Sequence, residues 1–416
     1  MHIVGARTLR FPFLLTALTV ALAAWLPRPL RAQALADLPD LAPAVEASQS
    51  ALSITPPLPA PATPPAAPSP AEPPPPIAVQ VGTRSAVRFQ NPSALDKLND
   101  ASLEGEADVL FWGQVHPYLQ WQAGFAGNLG PLTSAASAAL LDLVAKLEFA
   151  EALHLWVGRM PMASDRASLS TVWALSTWTM PGAYDPFAPT GMGSRPTPGP
   201  RRGNNNRGDG ATLWGQVGSG TFKYYLGVFG LEQPRTSPLY TARLVLSLLN
   251  PEPGFRATSS HFGAKDVLAL GVGAQHRAGD SRPPAGDTWP ANDFNEFNAD
   301  LLLEVGSSSS GVLDLESSIA KLWGDNELAK YQFVAQVSYL MPIDIGFGRL
   351  QPLLRFQRAA LGEASDAGDF TSIDAQLGYI IDGFRVRLIG DYQYSRVRGQ
   401  TQNAILLGVQ MVSHAK

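Results

Sequence analysis

Apolar and polar residues alternate along most of this chain after about residue 87. In the stretch IIDGFRVRLIGDYQYSRV, residues 380–397, Phe384, Val386, Leu388, Gly390, Tyr392 and Tyr394 share one parity. Arg385, Arg387, Ile389, Asp391, Gln393 and Ser395 share the other. A period of two marks an extended strand with one apolar and one polar face. Asp382-Gly383 reads as a two-residue hairpin turn that pairs Ile381 with Phe384. The same parity sets Leu141, Leu143, Ala145, Leu147 and Phe149 against Asp142, Val144, Lys146 and Glu148. Phe297, Ala299, Leu301, Leu303 and Val305 likewise oppose Asn298, Asp300, Leu302 and Glu304.

Such runs predict fourteen strands: 109–123, 138–149, 152–159, 211–218, 221–230, 238–249, 266–278, 295–306, 311–322, 330–341, 348–358, 371–381, 384–396 and 403–412. The stretch 160–210 is long enough to hold two more. A secreted sandwich would alternate too, with its apolar faces inward. Two features favour the inverted arrangement: no helical segments to cover a large sheet, and aromatic residues recurring near strand ends. These are Tyr118, Trp121, Tyr240, Tyr331, Tyr339, Tyr379 and Tyr394, placed as interfacial girdles are. The expectation is an all-β, transmembrane antiparallel β-barrel of about 14–16 strands, sixteen favoured. Only a closed barrel satisfies every strand's backbone in a bilayer, so the apolar parity meets lipid and the arginines meet a wet lumen.

The N-terminus adds export. Arg7 and Arg10 precede an apolar run from Phe11 to Leu26, with small residues around Ala32, Ala34 and Ala36, as in a secretory leader. That run is shorter than the ~20 residues of a spanning helix. Residues 56–76 hold twelve prolines, a composition that excludes helix and sheet. The domains expected are therefore a leader at 1–34, a disordered Pro/Ala-rich periplasmic linker at 35–86, and an outer-membrane barrel at 87–416.

Composition removes several alternatives. With no cysteine there is no disulfide framework or thiolate metal site. A sequence pI near 5.9 without a basic block speaks against nucleic acid as a partner. There is no HExxH, no nucleophile elbow and no metal quartet, so neither an enzyme nor a cofactor is expected. Arg207-Gly208-Asp209 spells an adhesion tripeptide, but a turn entering a strand explains it. Gly271-Val272-Gly273 lacks the strand–turn–helix setting of a dinucleotide site. Residues 287–300, DTWPANDFNEFNAD, read either as a solvated loop or as a Ca²⁺ loop.

The block LHLWVGRMPMASDRASLSTVWALSTWTMPGAYDP, residues 153–186, carries Gly158-Arg159, Pro161 and Ser164-Asp165-Arg166. It resembles the porin O/P (phosphate-selective) family of Gram-negative outer-membrane porins. Residues 207–231 (RGDGATLWGQVGSGTFKYYLGVFGL) and 240–255 (YTARLVLSLLNPEPGF) resemble that family as well. The resemblance implies a barrel of sixteen or so strands, often a homotrimer, that passes small hydrophilic solutes or anions through the outer membrane. Two departures stand out: the chain ends in SHAK rather than an aromatic residue, and it has only seven lysines.

Parity places Lys146, Lys223, Arg243, Arg277, Arg355, Arg385 and Arg387 on the lumen face. Asp142, Glu148, Asp300, Glu304, Asp314, Glu316, Asp374 and Asp391 share it, so the wall is near neutral and selectivity rests on local segregation of charge. The long loop 161–210 is the candidate constriction. Arg159, Asp165 and Arg166 lie at its start, and Arg195, Arg201, Arg202 and Arg207 further along. Guanidinium forks there would attract phosphate or carboxylate. Small inward residues (Ser247, Gly271, Gly273, Ser338, Ser372, Gly378) suggest an open bore rather than a closed structural or adhesive barrel.

Overall fold

A computed structural model describes residues 77–90, 101–129, 137–180, 207–230, 237–278, 293–324, 329–361, 370–397 and 400–415. The leader, all but the last ten residues of the expected linker, residues 181–206 and residues 287–292 of the Ca²⁺-loop candidate lie outside them; the candidate's remainder, 293–300, runs into a strand that begins at Phe294. Sixteen antiparallel strands form the wall: β1 (Ala78–Gln90), β2 (Ala101–His116), β3 (Leu119–Leu129), β4 (Ser137–Ala150), β5 (Leu153–Pro161), β6 (Arg207–Val217), β7 (Phe222–Phe229) and β8 (Leu239–Ser247). There follow β9 (Val267–Arg277), β10 (Phe294–Ser307), β11 (Gly311–Gly324), β12 (Ala329–Leu340), β13 (Gly348–Leu361), β14 (Phe370–Asp382), β15 (Val386–Val397) and β16 (Gln400–Ala415). Each pairs with its sequence neighbours, and β1 pairs with both β2 and β16, from Val79↔Ala415 to Gln90↔Ala404, which closes the ring.

The two strands missing from the sequence reading lie at its N-terminal end. The expected strand 109–123 is in fact β2 and β3, folded back at Pro117-Tyr118 without a glycine to mark the turn. β1 occupies the end of the expected linker, so the barrel begins at Ala78 rather than 87. Its outward positions include Thr83 and Ser85, which blur the apolar parity. Among the described residues, 162–180 hold no strand.

Outward faces are apolar as expected: Leu143, Leu226, Phe297, Ile319, Leu354 and Leu407 are each more than half exposed. A continuous belt of that kind marks a lipid-facing wall. Tyr118, Trp121, Tyr339 and Tyr379 lie near one rim, Tyr240, Tyr331 and Tyr394 near the other. Both β1 and β16 have their terminal ends at the first rim. Most turns there are short, as at 117–118, 151–152, 218–221 and 308–310. In the 218–221 turn Gly218, Ser219 and Gly220 all take positive φ (62°, 54° and 101°), where two glycines relieve the steric cost.

The 382–383 hairpin differs from its expectation. Asp382 pairs with Val386 across a three-residue turn, Gly383 to Arg385, with a register shift after Ile380. Phe384 is drawn towards Phe262 (ring centroids 4.6 Å apart) and covers Arg387 (5.2 Å). These contacts outweigh the tighter turn.

The hydrophobic core lies inside the barrel. Trp156, Met160, Trp214, Tyr225 and Phe229 point inward from β5, β6 and β7 and pack with Met162, Leu169 and Phe255 from two infolded segments.

Candidate functional site

Two connections enter the lumen from opposite rims. The first infold, 162–180, follows β5. Asp165 caps its single helical turn, α1 (Arg166–Leu169), by accepting from Ser168 N at 2.8 Å, while Ser168 Oγ takes the Asp165 N–H at 3.0 Å. This reciprocal pair is a capping box with serine in the third position. The second infold, 248–266, joins β8 to β9 at the rim where other turns are short.

The infolds meet across the lumen. Ala257 N donates to Leu169 O (3.2 Å), and Ser259 N to Ala174 O (3.0 Å). Arg166 Nη1 and Nη2 grip Glu252 Oε2 and Oε1 at 2.9 and 2.6 Å, and Nη2 also reaches Thr258 O at 2.5 Å. Burial works to raise the Glu252 carboxyl, but the Arg166 guanidinium and the His261 hydrogen bond outweigh it and hold it well below the usual carboxylate range. Burial likewise works against the charge on Arg166, and Glu252 more than offsets that, so Arg166 is raised above its ordinary value.

Each infold is anchored to the wall in a different way. On the β4–β8 side the second infold packs Phe255 against Trp156 (centroids 4.3 Å, stacked) and edge-on to Trp214 and Tyr225 (5.4 Å each). Tyr225 OH donates to Phe255 O (3.1 Å) and Gln216 Oε1 accepts from Gly254 N (2.8 Å). On the β13–β16 and β1 side the first infold is held by its backbone. Arg84 Nη1 donates to Trp178 O (2.8 Å), Arg355 Nη1 to Thr179 O (2.8 Å), Arg387 Nη1 to Ser176 O (3.2 Å) and Gln410 Nε2 to Trp173 O (3.2 Å). Trp173 Nε1 donates in turn to Asp108 at 2.8 Å.

The small inward residues receive the infold; they do not widen the bore. A Cβ on Gly82 would stand 2.8 Å from the Trp173 ring, and one on Gly408 2.8 Å from the Trp178 ring. A Cβ on Gly273 would strike Ser164 O at 2.0 Å, and one on Gly271 would meet the Arg243–Asp300 pair at 2.4 Å. Of the residues from which an open bore is expected, Gly273 is a socket for the infold, Gly271 meets the wall's own Arg243–Asp300 pair, and Ser338 and Ser372 bond to neighbours on the wall; Gly82 and Gly408 are further sockets. Consistently, Arg88, Arg355, Arg387, Asp142, Glu304 and Gln351 all face inward yet are at most 1% exposed.

The predicted site residues divide accordingly. Lys146, Lys223, Arg243, Arg355 and Arg387 face the lumen. Lys146 donates to Gln122 at 2.7 Å, Lys223 to Gly254 O at 3.3 Å, and Arg243 makes a two-pronged pair with Asp300 at 2.5 and 2.8 Å. Asp165 and Arg166 sit in the first infold, Asp165 capping α1 and Arg166 bonded to Glu252 and Thr258 O. Two positions depart from the expected lumen wall. Arg385 lies in the 383–385 turn, exposed and paired with Asp382 at 2.9 Å, because the turn is one residue longer than its parity assumed. Arg159 pairs in register with the outward Leu143 and bonds Asp209 at 2.6 and 2.5 Å, on the outer side of the wall. Of the adhesion tripeptide, Arg207 is buried against Asp142 at 2.6 Å within β6, so it is not displayed.

Sequence reasoning missed Glu252, Phe255, Trp173, Trp178 and the inward faces of β1 and β2. One signal was available: 19 residues separate Ser247 from Val267 at a rim whose other turns are short.

No family model matches the chain, and no curated protein does. Solved structures share its fold. OprB of Pseudomonas putida at high pH aligns with TM-score 0.54 and 10% identity over 82% of this chain and 94% of its own. A loop-L8 deletion mutant of OmpT, an outer membrane protein of Vibrio cholerae, aligns with TM-score 0.50 and 14% identity, covering 81% and 99%. Salmonella typhi OmpF, solved with daunomycin, aligns with TM-score 0.50 and 11% identity, covering 81% and 97%. At such identities the likeness is one of fold: a sixteen-stranded barrel of the outer-membrane porin type.

Proposed function

We propose that this protein is an outer-membrane porin with a narrow lumen, passing small hydrophilic solutes down their gradients without a cofactor. The observation that carries the reading is a lipid-facing closed barrel whose polar inner wall holds an infolded loop by arginines and glutamines. Short turns face the periplasm in such barrels. The chain therefore enters β1 from that side, and the Pro/Ala-rich segment before it lies in the periplasm after removal of the leader.

Ion preference is slight in this reading. Arg84, Arg88, Arg243 and Arg355 are each paired with a carboxylate, and a paired guanidinium projects little field. Arg387 has hydrogen bonds to Ser176 O and Gln410, Lys146 to Gln122 and Lys223 to Gly254 O, all neutral partners, so any anion or phosphate preference rests on these three. Membership of the porin O/P family is part of the proposal. The three segments that resemble that family build the first infold, the aromatic wall of β6 and β7, and the start of the second infold. So is assembly as a homotrimer, for which the small outward residues Thr83, Ser85, Gly105 and Ala107 of β1 and β2 offer a flat face.

A second reading, a non-conducting structural barrel, is favoured by the contact between the two infolds. Zero-current potentials in planar bilayers under a KCl gradient separate the two. Small conductance steps with a slight anion preference that falls in Arg387→Gln are expected. No conductance from folded, inserted protein would overturn the porin reading in favour of the structural barrel.

A further inference from the structure

The second infold leaves the lumen over a contact between two acids. Glu304 on β10 and Asp314 on β11 stand directly opposite each other in the register, both on the inner face. Glu304 is 0% exposed and Asp314 4%. Their carboxyl groups lie within hydrogen-bond reach of each other. Two charged carboxylates so placed repel across the strands, and burial removes the water that would screen them.

The surroundings bring no counter-charge. Glu304 Oε2 accepts from His261 N at 2.5 Å and Oε1 from Gly263 N at 2.7 Å, both at the exit of the second infold. Asp314 Oδ2 accepts from Ser338 Oγ on β12 at 3.1 Å and from Gln351 Nε2 on β13 at 3.5 Å, and Ser260 bonds the same carboxyl. Asp314 Oδ1 has no N–H or hydroxyl donor. From β9 the register brings apolar Val267 opposite Glu304. Glu316, next inward on β11, is a third acid and accepts from Gln336 at 2.8 Å. The cations of this region are engaged elsewhere: Lys265 Nζ donates to Pro251 O at 2.5 Å and Arg349 Nη1 to Ser308 O at 3.3 Å. The His261 ring turns to Glu252, at 3.1 Å. Among the described residues, no ammonium or guanidinium bonds either carboxyl of the pair.

A single proton reconciles such a pair: one carboxyl donates to the other, and one charge remains where two could not. We infer that Glu304 and Asp314 share one proton, and that its loss to lumen water as pH rises frees the exit of the second infold, residues 259–264. With both carboxylates charged the side chains part, and Glu304 withdraws from His261 N and Gly263 N. The contact is therefore complete at low pH and is lost as pH rises through the titration of the pair. The inference goes beyond solute passage: it rests on the barrel and its infolds, not on conduction.

The test is a spin label at the exit. The chain has no cysteine, so one placed at exposed Ala264 carries a nitroxide alone. Heat-modifiable migration of the full-length protein first establishes folding, which separates failure of the barrel from failure of this inference. The mobile fraction of the label should rise roughly threefold between about pH 6 and pH 10, and fall again on reacidification. Asp314→Asn donates to Glu304 without a proton to lose, so the label should stay immobile across that range. Glu304→Gln should do the same from the other side of the pair. A wild-type label that stays immobile throughout, or one that loosens equally in both variants, would overturn the inference. So would loosening at about pH 6 on adding EDTA, which would put a divalent cation in the place of the proton. A full label response in a barrel that conducts nothing would support the shared proton while sinking solute passage.

Discussion

The two sides of the lumen wall hold their infolds by different physics. On the β4–β8 side Trp156, Trp214, Tyr225 and Phe255 form a packed aromatic core, with Met160 and Met162 filling around it. On the β13–β16 and β1 side the contact is glycine sockets and directional hydrogen bonds from Arg84, Arg355, Arg387 and Gln410 to loop carbonyls. Packing is non-directional and is lost only when the core separates. Each hydrogen bond to a loop carbonyl is directional and worth only about 0.5–1.5 kcal/mol net, so a small shift of the loop breaks it. The difference teaches which half is scaffold and which half can yield to a passing solute.

The largest expected effect lies where the halves join. Arg166→Ala leaves Glu252 buried without its counter-charge and should cost about 3–5 kcal/mol, read as a lowered thermal unfolding midpoint together with a larger, noisier conductance. Glu252→Gln with Arg166→Met, which removes both charges, should recover much of that stability.

A smaller change is expected on the socket side. Gly82→Val collides with Trp173 and should cost about 1–3 kcal/mol, read in the same thermal assay. Protease accessibility should rise at residues 170–180 and not at 250–257. Matching increases in both segments would mean that the two sides are not independent.

Smaller again, Tyr225→Phe deletes one hydrogen bond, to Phe255 O, inside the aromatic core. About 0.5–1.5 kcal/mol is expected, with conductance unchanged.

The smallest effect concerns pH. Because Glu252 is held far below its unfolded value of roughly 4.3, its contribution is fully present above that value and is lost only as pH falls through the lower folded one. Unfolding midpoints should therefore show no pH dependence arising from Glu252 between pH 5 and 8, seen as a constant offset between wild type and Glu252→Gln. A difference that already shrinks between pH 6 and pH 5 would contradict the clamp.

The outward half of the fold was legible because lipid imposes one rule on every strand. Leu354, Phe356, Leu388 and Leu407 all obey it. Lumen positions were legible only in parity: Arg243, Arg355 and Arg387 face inward as expected, yet what they touch depends on loops that carry no periodicity. The glycines show this most plainly. Gly273 reads as empty space along a strand and only the infold's Ser164 reveals it as a socket, while Gly82 and Gly408 carry no signal until Trp173 and Trp178 are seen against them. Arg385 shows the converse, since one extra turn residue moved it out of the wall.

Single-channel conductance of wild type beside a Gly82→Val and Gly408→Val double variant tests the central claim most directly. The expected result is a small wild-type conductance that rises severalfold when both tryptophan sockets are filled, with the barrel still folded. A wild-type conductance already as large as that of the double variant would contradict the account.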